Sequence, residues 1–291
     1  MVTLVRRLEQ LEDVGVLLAD GIRPCTTAYA DDIKIFCNSA AGIQRCHGVM
    51  QNFLQWTGLR ANPAKFASLA VTINARGNPA QDESVRLELH GDTIAPLTFN
   101  ESYRYLGVGD GFDHVQHRLQ LEPKLQQIKR EAVALMRSGL AAWQVVKALK
   151  TYVYPKVEYA LRHLRPLQSQ LEGIDCAVKR GLRHLLRLPP SSTNIFFYSP
   201  TSGGGLGLQS LVEMHQALQV AHAWQMLHSK DPVIVAVAKT QVCQVARKRY
   251  HLIEDHWTGP DDELVRLFLN SELASSPHAT AHRRSGDIAS L

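Results

Sequence analysis

The chain has 291 residues, 45% hydrophobic and 20% charged, enough apolar content for a sizeable core in one large domain or two modest ones. No apolar run of about twenty residues occurs, so no transmembrane helix is expected, and Met1–Arg7 lacks the features of a signal peptide. The net charge is +5, but residues 1–111 hold 10 Lys/Arg against 12 Asp/Glu, residues 112–190 hold 14 against 6, and residues 191–291 hold 8 against 9. The positive excess thus falls in the middle third, as an electrostatic footprint for a polyanion does, although solvated helix faces also collect Lys and Arg. Five cysteines, Cys25, Cys37, Cys46, Cys176 and Cys243, are too scattered for a disulfide framework or a Cys-x-x-Cys metal knuckle. A reduced, intracellular protein without structural zinc is expected.

Leu4, Leu8 and Leu11 recur at helical spacing, and the apolar stretch Val14–Leu18 then reads as extended. Asp20-Gly21 is a hairpin signal that returns the chain through Ile22 to Tyr29. Asp31 and Asp32 stand between Thr26–Ala28 and Ile33–Phe36, which predicts a tight turn between two short strands with both carboxylates at its tip. Ile43, Met50, Phe53, Leu54 and Trp56 mark an amphipathic helix over 41–57, closed by Gly58 as a C-cap. Residues 66–74 read as a strand and Gly77-Asn78-Pro79 as a loop. Val85–Leu89, turned at His90-Gly91-Asp92, pairs with Thr93–Ala95, and Tyr103–Val108 is one more strand.

From residue 113 the pattern becomes helical. A long helix is predicted over 115–138, with Leu119, Leu121, Leu125, Ile128, Ala132 and Leu135 near one face and Pro123 near the start of its regular part. Helices follow at 141–153, 156–165 and 171–187, the last closed by Pro189-Pro190. Gly203-Gly204-Gly205 leads into a helix over 208–229, with others at 232–250 and 261–273. Ser275–Leu291 has no periodicity and is expected to be disordered. The fold class expected is α+β, a strand-rich unit followed by an all-helical one.

Paired carboxylates on a hairpin tip have a direct chemical use. Mg²⁺ takes oxygen ligands at roughly 2.0–2.1 Å, often one or two carboxylates plus phosphates. Two such ions about 3.5–4 Å apart stabilise the attacking and leaving oxygens of phosphoryl transfer. The plainer reading is that Asp-Asp serves the turn, since Asp is a favoured turn residue. Two other signals carry less. The glycine run lacks the Gly-Lys-Ser/Thr ending of a phosphate loop, and His215, His222 and His228 have no partners at zinc spacing.

Tyr29-Ala30-Asp31-Asp32, then a helix, then Gly58–Lys65, then Tyr105-Leu106-Gly107, resembles motifs C, D and E of a reverse transcriptase palm, in order and at familiar spacing. Leu149–Tyr159 and Gly203–Leu211 resemble the thumb and post-thumb of non-LTR retrotransposon polymerases, nearest to the site-specific lineage that carries a restriction-like endonuclease. The resemblance covers roughly residues 1–230 and implies a partial palm over 1–111, a helical thumb over 112–190 and a post-thumb region over 191–274. It implies that Asp31 and Asp32 ligate Mg²⁺ or Mn²⁺, that Lys65 meets the leaving pyrophosphate, and that Tyr29 and Ala30 lie close to the primer. Tyr105, Leu106 and Gly107 then belong to the primer grip. Lys179, Arg183 and Arg187, every fourth residue on one helical stripe, with Lys124, Lys129, Arg130, Arg137, Lys147 and Lys150, are expected to contact duplex phosphates. The implied partners are an RNA template, a DNA primer and deoxynucleoside triphosphates, with no membrane, and the implied location is nuclear.

The same resemblance requires a third metal-binding aspartate, in motif A, on a strand upstream of motif C. Only 30 residues precede Asp31, and Asp20 sits in a turn, so motif A, the fingers and most of motif B are expected to be missing. The chain alone is therefore expected not to polymerise DNA. The alternatives are a non-catalytic nucleic-acid-binding remnant of a retroelement and a metal-dependent nuclease reusing the acidic hairpin. The nuclease needs a further acidic ligand for which the local sequence has no good candidate.

Overall fold

A computed structural model describes all residues except 19, 20, 83, 112, 113, 251, 253–256, 258 and 276–291, and of 114–119, 274 and 275 it describes the backbone alone. The expected disordered tail, from residue 276 on, and Asp20 lie outside the described residues. The described residues fall into two compact units, one within 1–113 and 226–275 and the other within 114–225.

The first unit begins with helix α1 (Val2–Glu9), which buries Leu4 and Leu8. Val14–Leu18, expected to be a strand, forms none. Val16 donates its N–H to the Pro24 carbonyl (3.1 Å) and Leu18 to that of Ile22 (2.8 Å), but Pro24 has no N–H with which to return a ladder bond. Strands β1 (Thr26–Tyr29) and β2 (Asp32–Ile35) pair antiparallel with Tyr29 opposite Asp32. Helix α2 (Ala40–Thr57) starts where the Ser39 hydroxyl accepts the Gly42 N–H at 3.2 Å and stops at Gly58, whose φ of +69° is left-handed. Leu4, Leu8, Val14, Cys25, Cys46, Met50, Val85, Leu87, Leu89 and Ile94 make its buried core.

The rest of this stretch is a set of very short strands: β3 (Ala67–Ser68), β4 (Val71–Ile73), β5 (Pro79–Gln81), β6 (Glu88–Leu89), β7 (Asp92–Thr93), β8 (Ala95–Pro96), β9 (Ser102–Tyr105) and β10 (Val108–Gly111). The single strand expected over 66–74 is two, because the chain changes partner: β3 runs parallel to β8 and β4 antiparallel to β5. The turn expected at His90-Gly91 joins β6 to β7, with φ of +56° and +91° at its two residues. Tyr103–Val108 is likewise not one strand. Leu106 (φ +48°) and Gly107 (φ +81°) reverse the chain, so β9 and β10 form a hairpin with Tyr105 opposite Val108. Every described sheet has two strands.

The second unit is helical: α3 (His114–Met136), α4 (Ala142–Ala148), α5 (Pro155–His163), α6 (Gln168–Leu185), α7 (Ile195–Tyr198) and α8 (Leu211–Leu227). Helix α3 packs on α5 and α6, through buried Leu121, Leu125, Ile128 and Ala132 on its side and Val157, Leu161, Leu171, Ile174, Val178 and Leu182 on theirs. Pro123 lies well inside α3 rather than near its start. The helix expected over 141–153 is α4 followed by a wide π-turn, Leu149–Val153, in which Tyr154 donates to the Leu149 carbonyl at 3.0 Å. Pro155 accounts for it, since an ordinary turn would drive its ring against the Thr151 carbonyl. Helix α8 starts at Leu211, not 208, because Leu206, Gly207 and Leu208 donate their N–H groups back to Phe196, Ser199 and Phe197. A Cβ on Gly205 would lie 2.2 Å from the Ser199 carbonyl oxygen, so only glycine fits this close backbone approach.

The first unit resumes in α9 (Pro232–Tyr250) and α10 (Asp261–Leu269), clasped by ion pairs of Arg247 with Asp261 (2.9 Å) and Lys239 with Asp262 (2.7 Å). The mixture of helices with small, mainly antiparallel strand pairs fits the expected α+β class. No helix of the described residues is long and apolar enough to cross a membrane.

Candidate functional site

The β1–β2 hairpin holds the acidic pair where the sequence placed it. Ala30 and Asp31 are its two loop residues, and Asp32 is the first residue of β2. Ala30 takes φ of +54°, the left-handed conformation that a two-residue hairpin loop demands to match strand twist. Tyr29 is 67% exposed, and Ala30, Asp31 and Asp32 are exposed with it. Behind them Ile33, Ile35 and Cys37 pack on the core, which fixes the hairpin's register.

Two long-range links gather the other expected elements beside this hairpin. The Lys34 ammonium, two residues after Asp32 and so on the same strand face, forms an ion pair with the Asp110 carboxylate on β10. The Tyr103 hydroxyl on β9 donates to the backbone carbonyl of Lys65. Lys65 ends a short 3₁₀ turn, Pro63–Lys65, in which the Asn62 side chain accepts the Ala64 N–H at 3.1 Å, and its own side chain is exposed. Tyr105, Leu106 and Gly107 sit at the β9–β10 tip. The acidic hairpin, the lysine turn and the third element therefore share one unit, joined through β9–β10. Neither Lys34, Tyr103 nor Asp110 was singled out from the sequence; the strand-face position of Lys34 was the one available signal.

Asp31 and Asp32 accept no hydrogen bond and form no ion pair among the described residues, so four oxygens of the kind a hard cation takes are available. The donor set fits a divalent ion in kind but is small. Among the described residues no group of three or more His, Cys, Asp or Glu side chains comes together as a metal site. The nearby thiols are poor nucleophiles. Cys37 and Cys46 lie sulfur to sulfur at 3.6 Å, and burial pushes Cys25 up to about 11 and Cys46 to about 12.

The helical unit carries the cations. Lys156 pairs with Glu131 (2.8 Å) and Arg162 approaches Glu158 (3.8 Å), whereas Lys124, Lys147, Lys150 and Arg187 form no ion pair among the described residues. The expected stripe of Lys179, Arg183 and Arg187 does not persist. Helix α6 ends at Leu185, and Arg187 follows it with φ of +53°. Arg183 is turned to structure: it donates to the Ser192 hydroxyl (3.0 Å), the Ser192 carbonyl (3.1 Å) and the Asn194 side chain (2.8 Å), and lies over the Phe197 ring. Lys179 lies over the Tyr198 ring at 5.7 Å.

About 70% of the chain is similar to polyproteins of one kind of mobile element. It is 25% identical over 211 residues to a "Retrovirus-related Pol polyprotein from type-1 retrotransposable element R2" of Popillia japonica, covering 72% of this chain and 43% of that protein. It is 27% identical over 207 residues to the like-named protein of Bradysia coprophila, covering 71% and 23%. Over 206 residues it is 26% identical to the "Retrovirus-related Pol polyprotein from type-2 retrotransposable element R2DM" of Drosophila melanogaster, covering 68% and 18%. Its relatives are retrotransposon Pol polyproteins. The chain spans less than half the length of each of these Pol proteins, and no protein-family model matches it.

Within this Pol-related chain, the buried polar groups of the helical unit hold helices together rather than forming a site. Asp175 on α6 reaches the start of α8, accepting the Ser210 hydroxyl at 2.6 Å and the Leu211 N–H at 3.0 and 3.1 Å. Burial raises its carboxyl above the ordinary range, against the opposing pull of those donors. His215 Nδ1 lies 2.9 Å from the Leu161 carbonyl, and the Gln219 amide donates to the carbonyls of Leu161 (2.8 Å) and Arg162 (2.9 Å). One turn apart on α8, these two side chains cap the end of α5.

Proposed function

We propose that this chain is part of a non-LTR retrotransposon reverse transcriptase, with a partial palm in residues 1–111, a thumb in 112–190 and a post-thumb region in 191–274. The observation that carries the reading is the joining of the Asp31-Asp32 hairpin, the Lys65 turn and the β9–β10 hairpin within one unit, through Lys34–Asp110 and Tyr103–Lys65. Similarity to retrotransposon Pol polyproteins supports it independently. In this reading the partners are an RNA template, a DNA primer and deoxynucleoside triphosphates, and the site of action is the nucleus.

Asp31 and Asp32 would hold Mg²⁺ or Mn²⁺, which when bound neutralises phosphate charge and lowers the pKa of an attacking hydroxyl. The remaining roles belong to the chain itself. Tyr29 and Ala30 border the primer end, Lys65 meets the departing pyrophosphate, and the Tyr105-Leu106-Gly107 tip steadies the primer strand. Lys124, Lys147, Lys150, Lys179 and Arg187 contact duplex phosphates, with Arg183 acting mainly by fixing the segment Ser192–Asn194. The described residues bring two carboxylates to the hairpin tip, and Asp110 beside it is engaged by Lys34. The 291-residue polypeptide by itself therefore binds template–primer without extending it, and the same observation favours a second reading, a binding remnant that acts through its cations alone.

Two measurements on the purified chain test this. Primer extension on an RNA template with Mg²⁺ or Mn²⁺ is expected to give no product, and processive synthesis would overturn the inactivity. Affinity for an RNA–DNA duplex is expected to fall steeply with salt and to weaken further in a Lys124→Gln, Lys147→Gln, Lys150→Gln triple variant, whose salt slope drops by roughly two to three. Salt-independent affinity, or an unchanged variant, would overturn duplex binding by this unit.

A further inference from the structure

The helical run from α4 to α5 buries one side and leaves the other open. Val145, Val146, Leu149 and Val153 are buried, whereas Trp143 is 67% exposed and Tyr152 68% exposed. Lys147 and Lys150 are exposed between them. Trp143, Lys147 and Lys150 recur at i, i+4 and i+7 and so share a face. The π-turn at Leu149–Val153 has a consequence here, since it turns Lys150, Thr151 and Tyr152 outward in succession, and such wide turns recur at functional sites. None of the side chains of Trp143, Lys147, Lys150 and Tyr152 forms an ion pair, hydrogen bond or ring contact among the described residues.

An exposed indole followed along the same helix face by two ammonium groups without counter-charges has the chemistry of a base-stacking platform. Stacking on an aromatic face is tolerant of base identity and worth enough to anchor an unpaired nucleotide, while lysines further along the face track its phosphates. A paired base offers no free face, and duplex backbone contacts need only the cations. Building on the nucleic-acid reading above, we propose that this face also binds single strands, with a base stacked on Trp143 and its neighbouring phosphates held by Lys147 and Lys150, the two lysines serving whichever nucleic acid is bound.

The test uses the full chain and three fluorescent probes: a short single-stranded RNA, the same strand with abasic positions, and an RNA–DNA duplex. Trp143→Ala is expected to weaken the single strand by about 5- to 150-fold and to leave the duplex unchanged, while Trp143→Phe keeps most of the affinity. The abasic strand should bind wild type weakly and be indifferent to Trp143→Ala. Equal affinity of Trp143→Ala and wild type for the single strand would overturn the proposal, as would equal losses on single strand and duplex, or tight abasic binding. A wild-type chain that ignores single strands also overturns it and leaves the face to a protein partner. Failure of duplex binding with Trp143-dependent single-strand binding intact would overturn the duplex reading and leave this one standing.

Discussion

Around the acidic hairpin, the connections that matter are made at the surface by exposed or half-exposed side chains: Lys34 to Asp110, Tyr103 to the Lys65 carbonyl, and Arg45 to Asp13 at 2.6 Å. In the helical unit the corresponding connections are buried, with Asp175 on Ser210 and Leu211, and His215 and Gln219 on the carbonyls ending α5. The difference separates two jobs. Solvent-screened links locate exposed groups at little energetic cost, whereas buried hydrogen bonds define one helix arrangement and are expensive to break. The acidic hairpin is thus positioned gently, and the cationic bundle is built to stay rigid.

The contrast breaks most visibly in the core. Leu182→Ala, at a fully buried position between helices, is expected to lower stability by about 2–5 kcal/mol, read by urea unfolding with circular dichroism. Asp175→Ala should cost about 1–3 kcal/mol, because Ser210 and the Leu211 N–H lose their acceptor in a buried setting; a loss below a few tenths would show that water replaces the carboxylate. Ser39→Ala, removing the cap of α2, is expected to cost about 1 kcal/mol by the same measurement.

Acid should separate the units further. Burial lowers His163, His215 and His222 below the ordinary 6.5, with His222 acting on His163 and Arg162 on both His163 and His222. The unfolded chain therefore takes up protons that the folded one resists, so stability is intact above 6.5 and falls as pH drops below it. Asp175 works in the opposite sense over a lower window. Its raised folded value gives a stabilisation that is full below 3.8 and lost as pH rises through the folded value. Melting temperatures across this range should fall toward acid in wild type and fall less in His215→Gln. Smallest of all, Lys34→Met should change stability by less than about 1 kcal/mol, as expected for a half-exposed pair; a larger loss would mean that this link carries the hairpin fold.

Local chemistry was legible in the sequence, and long-range chemistry was not. Gly58 announced the end of α2, His90-Gly91 its hairpin, and Tyr29–Asp32 its turn, because each depends on residues within a few positions. Leu106-Gly107 was missed because leucine is not a usual turn residue and adopts φ of +48° only under the pairing of β9 with β10. The π-turn was missed because the apolar period is kept through it, with Leu149 and Val153 both buried. The break between Leu185 and Arg187 was hidden by a basic spacing that continues past the helix. Lys34–Asp110 and Tyr103–Lys65 join residues 76 and 38 positions apart, and no pattern along one chain reports such pairs.

The ion pair of Lys34 with Asp110 has an electrostatic corollary. With Lys34, two positions beyond Asp32, neutralised by another carboxylate, the loop bearing Asp31 and Asp32 keeps its two negative charges uncompensated and projects them into water. A polyphosphate nearing that loop meets like charge at short range, where screening by dissolved salt is least effective. On the proposed reading, nucleic acid would settle against this tip only together with mobile counter-ions, and its occupancy there would depend on which cations the solution supplies.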